Sequence, residues 1–312
     1  MKFDSLESLR GVAALLVALS HSSFLYGQQH VFIANAGVFV DFFFVLSGFV
    51  MAFAYFDKVR EGMPFSRFIL LRFGRLYPLH LLTLQLRVPY VLAKGYAFHV
   101  LHLGEMDPWV KNSPLRFVYN IFLVNSLGFD NDLGWNAPAW SISVEFYTYI
   151  VFFFFVLLLR PVYKPVFSLI LSVLSYAVLV YVARDDPHTL LYTYKYGIFR
   201  CMGGFFLGMF VYHLSQRSRI QLKAFPASLI EVALLLIACA LIAESHHKAM
   251  QLPVFPVFAV IVYVLSIQDV GVVSRFLKMK WMVLLGTLSY SIYMIHMLVF
   301  VLAANIWQYV LK

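Results

Sequence analysis

An arginine and a histidine stand eleven residues apart in the first apolar stretch, SLRGVAALLVALSH, at Arg10 and His21. On an α-helix, eleven residues turn about 1100°, so the two side chains share a face and lie about 16.5 Å apart along the axis. A long ligand with an anionic head could contact Arg10 and present its reactive end to His21, which suits a coenzyme A thioester. Two alternatives stay open: Arg10 could anchor the helix at lipid headgroups, and His21 could be a packing residue.

The second apolar stretch, GVFVDFFFVLSGFVMAF, holds three further candidates. Asp41 is a carboxylate within an apolar run, where an ionised group is costly and needs a cation or a proton. Ser47 could donate a hydrogen bond, and Gly48 leaves room for a ligand to approach the backbone. Close packing of two helices at this small pair explains Ser47 and Gly48 equally well.

Two arginines and a glutamate follow in later segments. Arg72 and Arg75 lie one helical turn apart, so their guanidinium groups are neighbours that could bind phosphates bidentately. Their alternative role is to anchor a cytoplasmic membrane surface. Glu145 lies inside an apolar run, and a carboxylate there could orient a catalytic histidine and raise its basicity. An ion pair with Arg200 or Lys195 is the competing interpretation of Glu145.

The remaining histidines give weaker indications. His296 lies in a late apolar run and could act on the acceptor side or pack in the core. His246 and His247 stand near Glu244, but their spacing does not predict a metal site, and no metal is predicted. The sequence also shows no phosphate-binding glycine-rich loop, no nucleophile elbow and no nucleic-acid module. The chemistry must therefore come from polar residues inside apolar runs.

These residues must be positioned by elements suited to a lipid bilayer. Of the 312 residues, 62% are apolar and only 12% are charged, whereas soluble domains are about 25% charged. A bilayer requires spans of about 20 apolar residues. Apolar runs of roughly this length occur at 11–26, 36–56, 76–93, 138–159, 165–183, 192–213, 226–243, 253–267 and 282–304. We predict an all-α, polytopic transmembrane helical bundle of nine or ten spans, as one integral membrane domain over residues 1–312 with no fused soluble domain.

The charge of the loops predicts the orientation of the chain. The net charge of +9 comes from short loops at 57–75, 214–224 and 274–280, and not from a basic face that would bind nucleic acid. Basic loops face the cytoplasm, and the N-terminus should also be cytoplasmic because two spans precede the first loop. The three loops face one side only if the polar run 115–128 does not cross. A re-entrant segment near 115–137 satisfies this condition.

In this order, the motifs resemble those of the acyltransferase-3 family of membrane-bound O-acyltransferases. The matching pieces are SLRGVAALLVALSH at 8–21, GVFVDFFFVLSGFV at 37–50, RFGRLYPLH at 72–80, WSISVEFY at 140–147, RCMGGFFLGMFVY at 200–212 and LGTLSYSIYMIH at 285–296. The resemblance implies a multi-pass protein of the plasma (inner) membrane. It would transfer an acyl group, in the first place acetyl from acetyl-coenzyme A, from the cytoplasm to a hydroxyl of a carbohydrate or other acceptor.

The resemblance also implies roles for the candidate residues. His21 would be catalytic, either as a general base or as a transient acyl carrier, and Arg10 would support it or the donor. Arg72 and Arg75 match the family's Arg-x-x-Arg, which is thought to help bind acyl-coenzyme A at the cytoplasmic face.

Three further positions match the family's pattern. Ser47 and Gly48 match its Ser-Gly-Phe, and we assign them to the donor site. Glu145 matches the glutamate after its Trp-Ser pair, although Phe146 replaces the acidic residue or glutamine that often follows.

Two other classes of function remain compatible with the residues. A transporter or flippase could line a solute path with the same charged groups, although neither matched broken spans nor an inverted repeat is visible. A membrane sensor or scaffold would use them structurally. Some relatives carry a fused extracytoplasmic esterase-like domain, and we expect that any second transfer onto a distant polymer would need a separate extracytoplasmic partner.

Overall fold

The computed structural model describes residues 3–22, 30–186 and 189–309, and in these ranges it contains helices and no strand. The first seven helices are α1 (Asp4–Ser20), α2 (Val31–Ala34), α3 (Phe39–Arg60), α4 (Phe65–His99), α5 (Pro108–Lys111), α6 (Pro114–Ile121) and α7 (Ala139–Leu158). They are followed by α8 (Lys164–Val182), α9 (Gly197–Arg217), α10 (Ala224–Ala243), α11 (Lys248–Gln251), α12 (Val254–Ile267), α13 (Val272–Leu277) and α14 (Lys280–Tyr309). Short 3-10 turns occur at Ala36–Val38 and Pro161–Tyr163. The all-α prediction is confirmed.

Seven helices of the described part are long and apolar enough to cross a bilayer. They cover Val31–Arg60, Ala139–Leu158, Pro161–Val182, Gly197–Arg217, Ala224–Ala243, Lys248–Ile267 and Lys280–Ile306. This confirms a polytopic membrane protein. The two other predicted runs fall on α1, which has 17 residues, and on α4, which has 35 residues and contains two prolines. The total of nine or ten spans therefore stays a prediction.

The polar run 115–128 does not form a spanning helix. Its helix α6 has 8 residues, which is about 12 Å of helix against a hydrocarbon core of about 30 Å. Ser113 caps the start of α6 by accepting from the backbone N–H of Arg116, with Pro114 in the first turn, as is common at helix starts. Irregular chain follows as far as residue 138. The insertion of this segment into the membrane stays a prediction.

The chain divides into two compact units. Unit 1 comprises residues 1–63, 153–191 and 199–293, and unit 2 comprises 64–152, 192–198 and 294–312. In unit 1, helix α1 packs on α3 and α13, while α12 packs on α3 and α10. In unit 2, α4 carries the buried Leu84 and Val91, which pack with Trp135 of the irregular segment.

Candidate active site

His21 lies at the C-terminal end of α1 in unit 1, where its exposed side chain has a defined orientation. Its ring Nδ1 is 2.9 Å from the carbonyl oxygen of Val17, one turn earlier. A carbonyl oxygen can only accept, so this contact is a hydrogen bond when Nδ1 carries the proton, and in that neutral tautomer Nε2 carries the lone pair. This tautomer is the one that a general base acting through Nε2 requires.

Arg10 lies three turns before His21 and joins α1 to α14. Its Nε donates to Ser289 Oγ at 2.8 Å, and its Nη2 donates to the carboxylate of Glu7 at 2.7 Å. The two helices approach closely here, since a methyl group on Gly286 would overlap the backbone of Glu7. Arg10 therefore links α1 to a neighbouring helix, and its roles at the active site or at lipid headgroups stay predictions.

Asp41 has the cation that its position requires. Its two carboxylate oxygens accept from Nε and Nη2 of Arg200 at 2.8 and 2.6 Å, and both side chains are buried. This bidentate geometry is a strong form of charge-assisted hydrogen bond. Within unit 1 the Arg200 guanidinium binds Asp41, and the competing pair of Arg200 with Glu145 stays a prediction. The pair fastens α3 to α9.

Gly48 lies where α3 crosses α9. A methyl group added to Gly48 would overlap the backbone carbonyl of Phe205, so the two helices approach closely because this residue has no side chain. The neighbouring Ser47 is half-buried. The contact that the structure shows is the packing alternative, and a role of Ser47 and Gly48 in donor binding stays a prediction.

The other candidates lie in unit 2, on α4 and α7. Arg72 is half-buried and Arg75 is exposed. Between them in sequence, Phe73 makes an edge contact with Phe146 of α7, with ring centroids 6.1 Å apart. This contact brings the turn of α4 that carries Arg72 beside the turn of α7 that carries Glu145. The segments that carry the predicted donor-binding arginines and the predicted carboxylate are thus neighbours in unit 2.

Glu145 has a partner on its own helix. The hydroxyl of Tyr149 donates to its carboxylate at 2.6 Å, and the two residues are four apart and share a face of α7. This contact was not predicted from the sequence. The side chain of Glu145 is half-buried, and its pairing with His21 stays a prediction.

A stripe of polar residues on α4, at His80, Thr83 and Arg87, was overlooked in the sequence. His80 Nε2 donates to the carbonyl of Asn120 at 2.9 Å, and Arg87 Nε donates to the carbonyl of Trp135 at 2.9 Å. Their spacing of three and four residues places them on one helical face, which is a signal that the sequence does contain. The stripe fastens α6 and the irregular segment after it to α4.

An ion pair between Arg116 and Asp130, outside the predicted spans, joins α6 to the irregular segment that follows it. Arg116 Nη2 donates to Asp130 Oδ1 at 2.9 Å, and the Nη1 of Arg116 donates to the Val110 carbonyl at 2.7 Å. The hydrogen bond from Arg116 lowers the pKa of Asp130 below its ordinary value, because it favours the ionised carboxylate. The segment between α5 and α7 is therefore a fixed structure.

The candidates thus form two groups. Unit 1 holds Arg10, His21, Ser47 and Gly48, and unit 2 holds Arg72, Arg75 and Glu145. His296 is also in unit 2, buried in α14 with its ring near Phe300.

Comparison with known proteins identifies the class of the chain. The family model described as an acyltransferase domain, acyltransferase-3, matches residues 3–310. The chain belongs to this family of acyltransferases, as its motifs predicted.

Curated relatives give the same class. Protein 2 in the picA locus of Rhizobium radiobacter is 42% identical over 150 residues, which cover 46% of this chain and 77% of that protein. The acyltransferase MdmB of Streptomyces mycarofaciens is 31% identical over 165 residues, 49% of this chain and 38% of MdmB. The peptidoglycan O-acetyltransferase OatA of Listeria monocytogenes is 22% identical over 343 residues, 99% of this chain and 52% of OatA.

The match spans about half the length of OatA and less of MdmB. No solved structure matches this chain significantly. The comparisons therefore establish a membrane acyltransferase, an enzyme, without its donor or its acceptor.

Proposed function

We propose that this membrane acyltransferase is an O-acyltransferase, specifically an O-acetyltransferase. It takes the acyl group from acetyl-coenzyme A in the cytoplasm and transfers it to a hydroxyl of a carbohydrate or other acceptor at or across the plasma membrane. The name of OatA, a peptidoglycan O-acetyltransferase, supports acetyl as the group and a cell-envelope hydroxyl as the acceptor.

The observation that carries the proposal is the contact between His21 Nδ1 and the Val17 carbonyl oxygen. With Nδ1–H held by the Val17 carbonyl at 2.9 Å, Nε2 takes the proton of the acceptor hydroxyl as its oxygen attacks the thioester carbonyl. The carbon–sulfur bond then breaks, and the leaving thiolate takes the proton back from the imidazolium to give free coenzyme A thiol. The same nitrogen would carry the acyl group in a two-step version.

The other residues have supporting roles. Arg72 and Arg75 bind the phosphates of the donor through guanidinium groups that match phosphate geometry. Arg10 positions His21 by holding α1 against α14. Glu145 balances the charge of the imidazolium. We also propose that Ser47 and Gly48 line the path of the donor thioester.

The experiment is the release of free thiol from acetyl-coenzyme A by the purified chain in detergent, with a panel of glycan acceptors. We expect His21→Ala to abolish release, a loss of at least about 100-fold for removing a general base. The matched control is His30→Ala, which removes another exposed histidine of unit 1 and should leave the rate unchanged.

Substantial release by His21→Ala would overturn the assignment of His21. If the folded wild-type protein releases no thiol with any acceptor, the result favours a different acyl donor or the transporter interpretation over the proposal. A rapid quench with labelled donor separates the two versions of the mechanism, because only the acyl-carrier version leaves label on the protein.

A further inference from the structure

The turn between α10 and α11 brings Glu244, His246 and His247 together. One ligand atom from each residue, a carboxylate oxygen or an imidazole nitrogen, lies within 4.8 Å of the other two. All three side chains are exposed, and the two imidazole centroids are 3.9 Å apart. The spacing in sequence did not predict this arrangement, because it depends on how the chain turns between the two helices.

The backbone on both sides of this turn is held by long-range contacts. Asn35 Nδ2 donates to the carbonyls of Ile242 and Ala243 at 3.1 and 3.0 Å, which fixes the end of α10. Lys248 Nζ donates to the carbonyl of Asp186 at 2.6 Å, which fixes the start of α11. The ammonium of Lys248 is thereby directed to carbonyls of another loop.

The buried side chain of Gln251 also holds the turn in place. Gln251 is buried, its Nε2 donates to the carbonyl of Ser245 at 2.8 Å, and its Oε1 accepts from the backbone N–H of Leu190 at 2.6 Å. Lys248 and Gln251 thus hold the backbone of the turn. The side chains of Glu244, His246 and His247 are exposed to solvent. A backbone fixed in this way is a suitable support for a preorganised site.

The available donor atoms suit a transition metal. His246 Nδ1 is 3.3 Å from the Ala243 carbonyl, and a ligating histidine commonly donates its other ring N–H to such a carbonyl, which leaves Nε2 for the metal. No ion pair that the described residues form involves Glu244. Ligands at zinc distances of about 2.0–2.1 Å would lie about 3.3 Å from one another, which rotamer changes of exposed side chains can reach.

We propose that Glu244, His246 and His247 bind one divalent transition-metal ion, Zn²⁺ in the first instance. Two imidazoles and a carboxylate are a ligand set that Zn²⁺ uses with water in the fourth position. A solvated polar turn is the alternative, and it predicts no selective affinity. The proposal does not depend on the function of His21.

The test measures Zn²⁺ binding by the purified full chain in detergent, with an affinity tag that contains no histidine and a chromophoric chelator as competitor. We expect one Zn²⁺ per chain. His246→Ala, His247→Ala and the isosteric Glu244→Gln should each weaken binding by at least about 10-fold. With Co²⁺ as a second probe, the wild type should show the intense visible absorption of a four-coordinate ion, and the double variant H246A/H247A should lose it.

The matched control is His99→Ala. His99 is also exposed, and its Nε2 lies 3.3 Å from a carboxylate oxygen of Asp107, so the pair offers one imidazole and one carboxylate, one ligand fewer than the proposed site. Removal of His99 should leave Zn²⁺ affinity unchanged. Equal affinity in the wild type and H246A/H247A, or an equal loss in His99→Ala, would overturn the proposal.

Discussion

Asp41 and Arg200 form a bidentate ion pair in a place that excludes water almost completely. Their side chains are 0% and 2% exposed, and the cost of removing each charge from water is met only while the other is present. The sequence predicts that Asp41 needs a cation or a proton. It does not identify Arg200 as that cation, because 159 residues separate the two and their pairing depends on how α3 and α9 pack.

Removing one member of this pair should be far more damaging than removing a member of an exposed pair. We expect Asp41→Ala to lower the free energy of unfolding by about 3–5 kcal/mol, because Arg200 would be left buried without its carboxylate. The control is Asp57→Ala, which breaks the exposed pair with Arg60 at 3.4 Å and should cost about 0–1 kcal/mol. Denaturation of the purified protein in detergent compares them, and equal stabilities would contradict the structural role.

At the scale of elements, two helix crossings position the residues of unit 1. One joins α3 and α9 at Gly48, and the other joins α1 and α14 at Gly286. The sequence indicated small-residue packing at Ser47-Gly48 as an alternative to donor access. It could not identify the partner helix, because apolar helices of similar composition offer many partners and only the matching of their surfaces selects one.

Gly48→Ala distinguishes packing from donor access. The added methyl would overlap the backbone of Phe205, which cannot rotate away as a side chain would, so we expect a loss of stability of about 1–3 kcal/mol. Gly37→Ala is the control, because a methyl there meets no atom within 4 Å, and its effect should stay within about 0.5 kcal/mol. Wild-type stability of Gly48→Ala combined with a raised KM for acetyl-coenzyme A would favour donor access instead.

At the scale of the whole molecule, the apolar helices could be predicted from the sequence, whereas the structure of the polar loops could not. Apolar runs predicted the class and the approximate extents of the helices, since a spanning helix must be apolar over about 20 residues. The segment 107–137 was harder, because its order comes from long-range bonds such as Arg116 to Asp130 and Arg87 to the Trp135 carbonyl. Distances between the two groups of site residues depend on tertiary packing, which no local pattern contains.

The orientation follows from one count of crossings. If α1 and α4 both cross, two spans precede the basic segment 57–75, and four spans (α4, α7, α8 and α9) separate it from the basic segment 214–224. Both numbers are even, so this count predicts that both basic segments and the N-terminus lie on one side of the membrane, which the charge rule assigns to the cytoplasm. The predicted loops are shorter in the structure, which leaves 61–64 and 218–223 between the helices. Helix α4, with 35 residues, is about 52 Å long and can cross.

Labelling of single cysteines on intact cells checks this orientation. The background is Cys239→Ser, because Cys239 is exposed while Cys201 is buried, and the exposed positions Glu61, Arg219 and Glu105 are each changed to Cys. An impermeant maleimide should label only the variant at position 105 from outside, and all three after permeabilisation, because one crossing of α4 separates residue 105 from residue 61. Labelling of position 61 from outside would reverse the predicted orientation and place the arginines proposed to bind the donor away from cytoplasmic acetyl-coenzyme A. If position 105 is labelled only after permeabilisation, α4 does not cross, and the even count on which the cytoplasmic placement of Arg219 rests is lost.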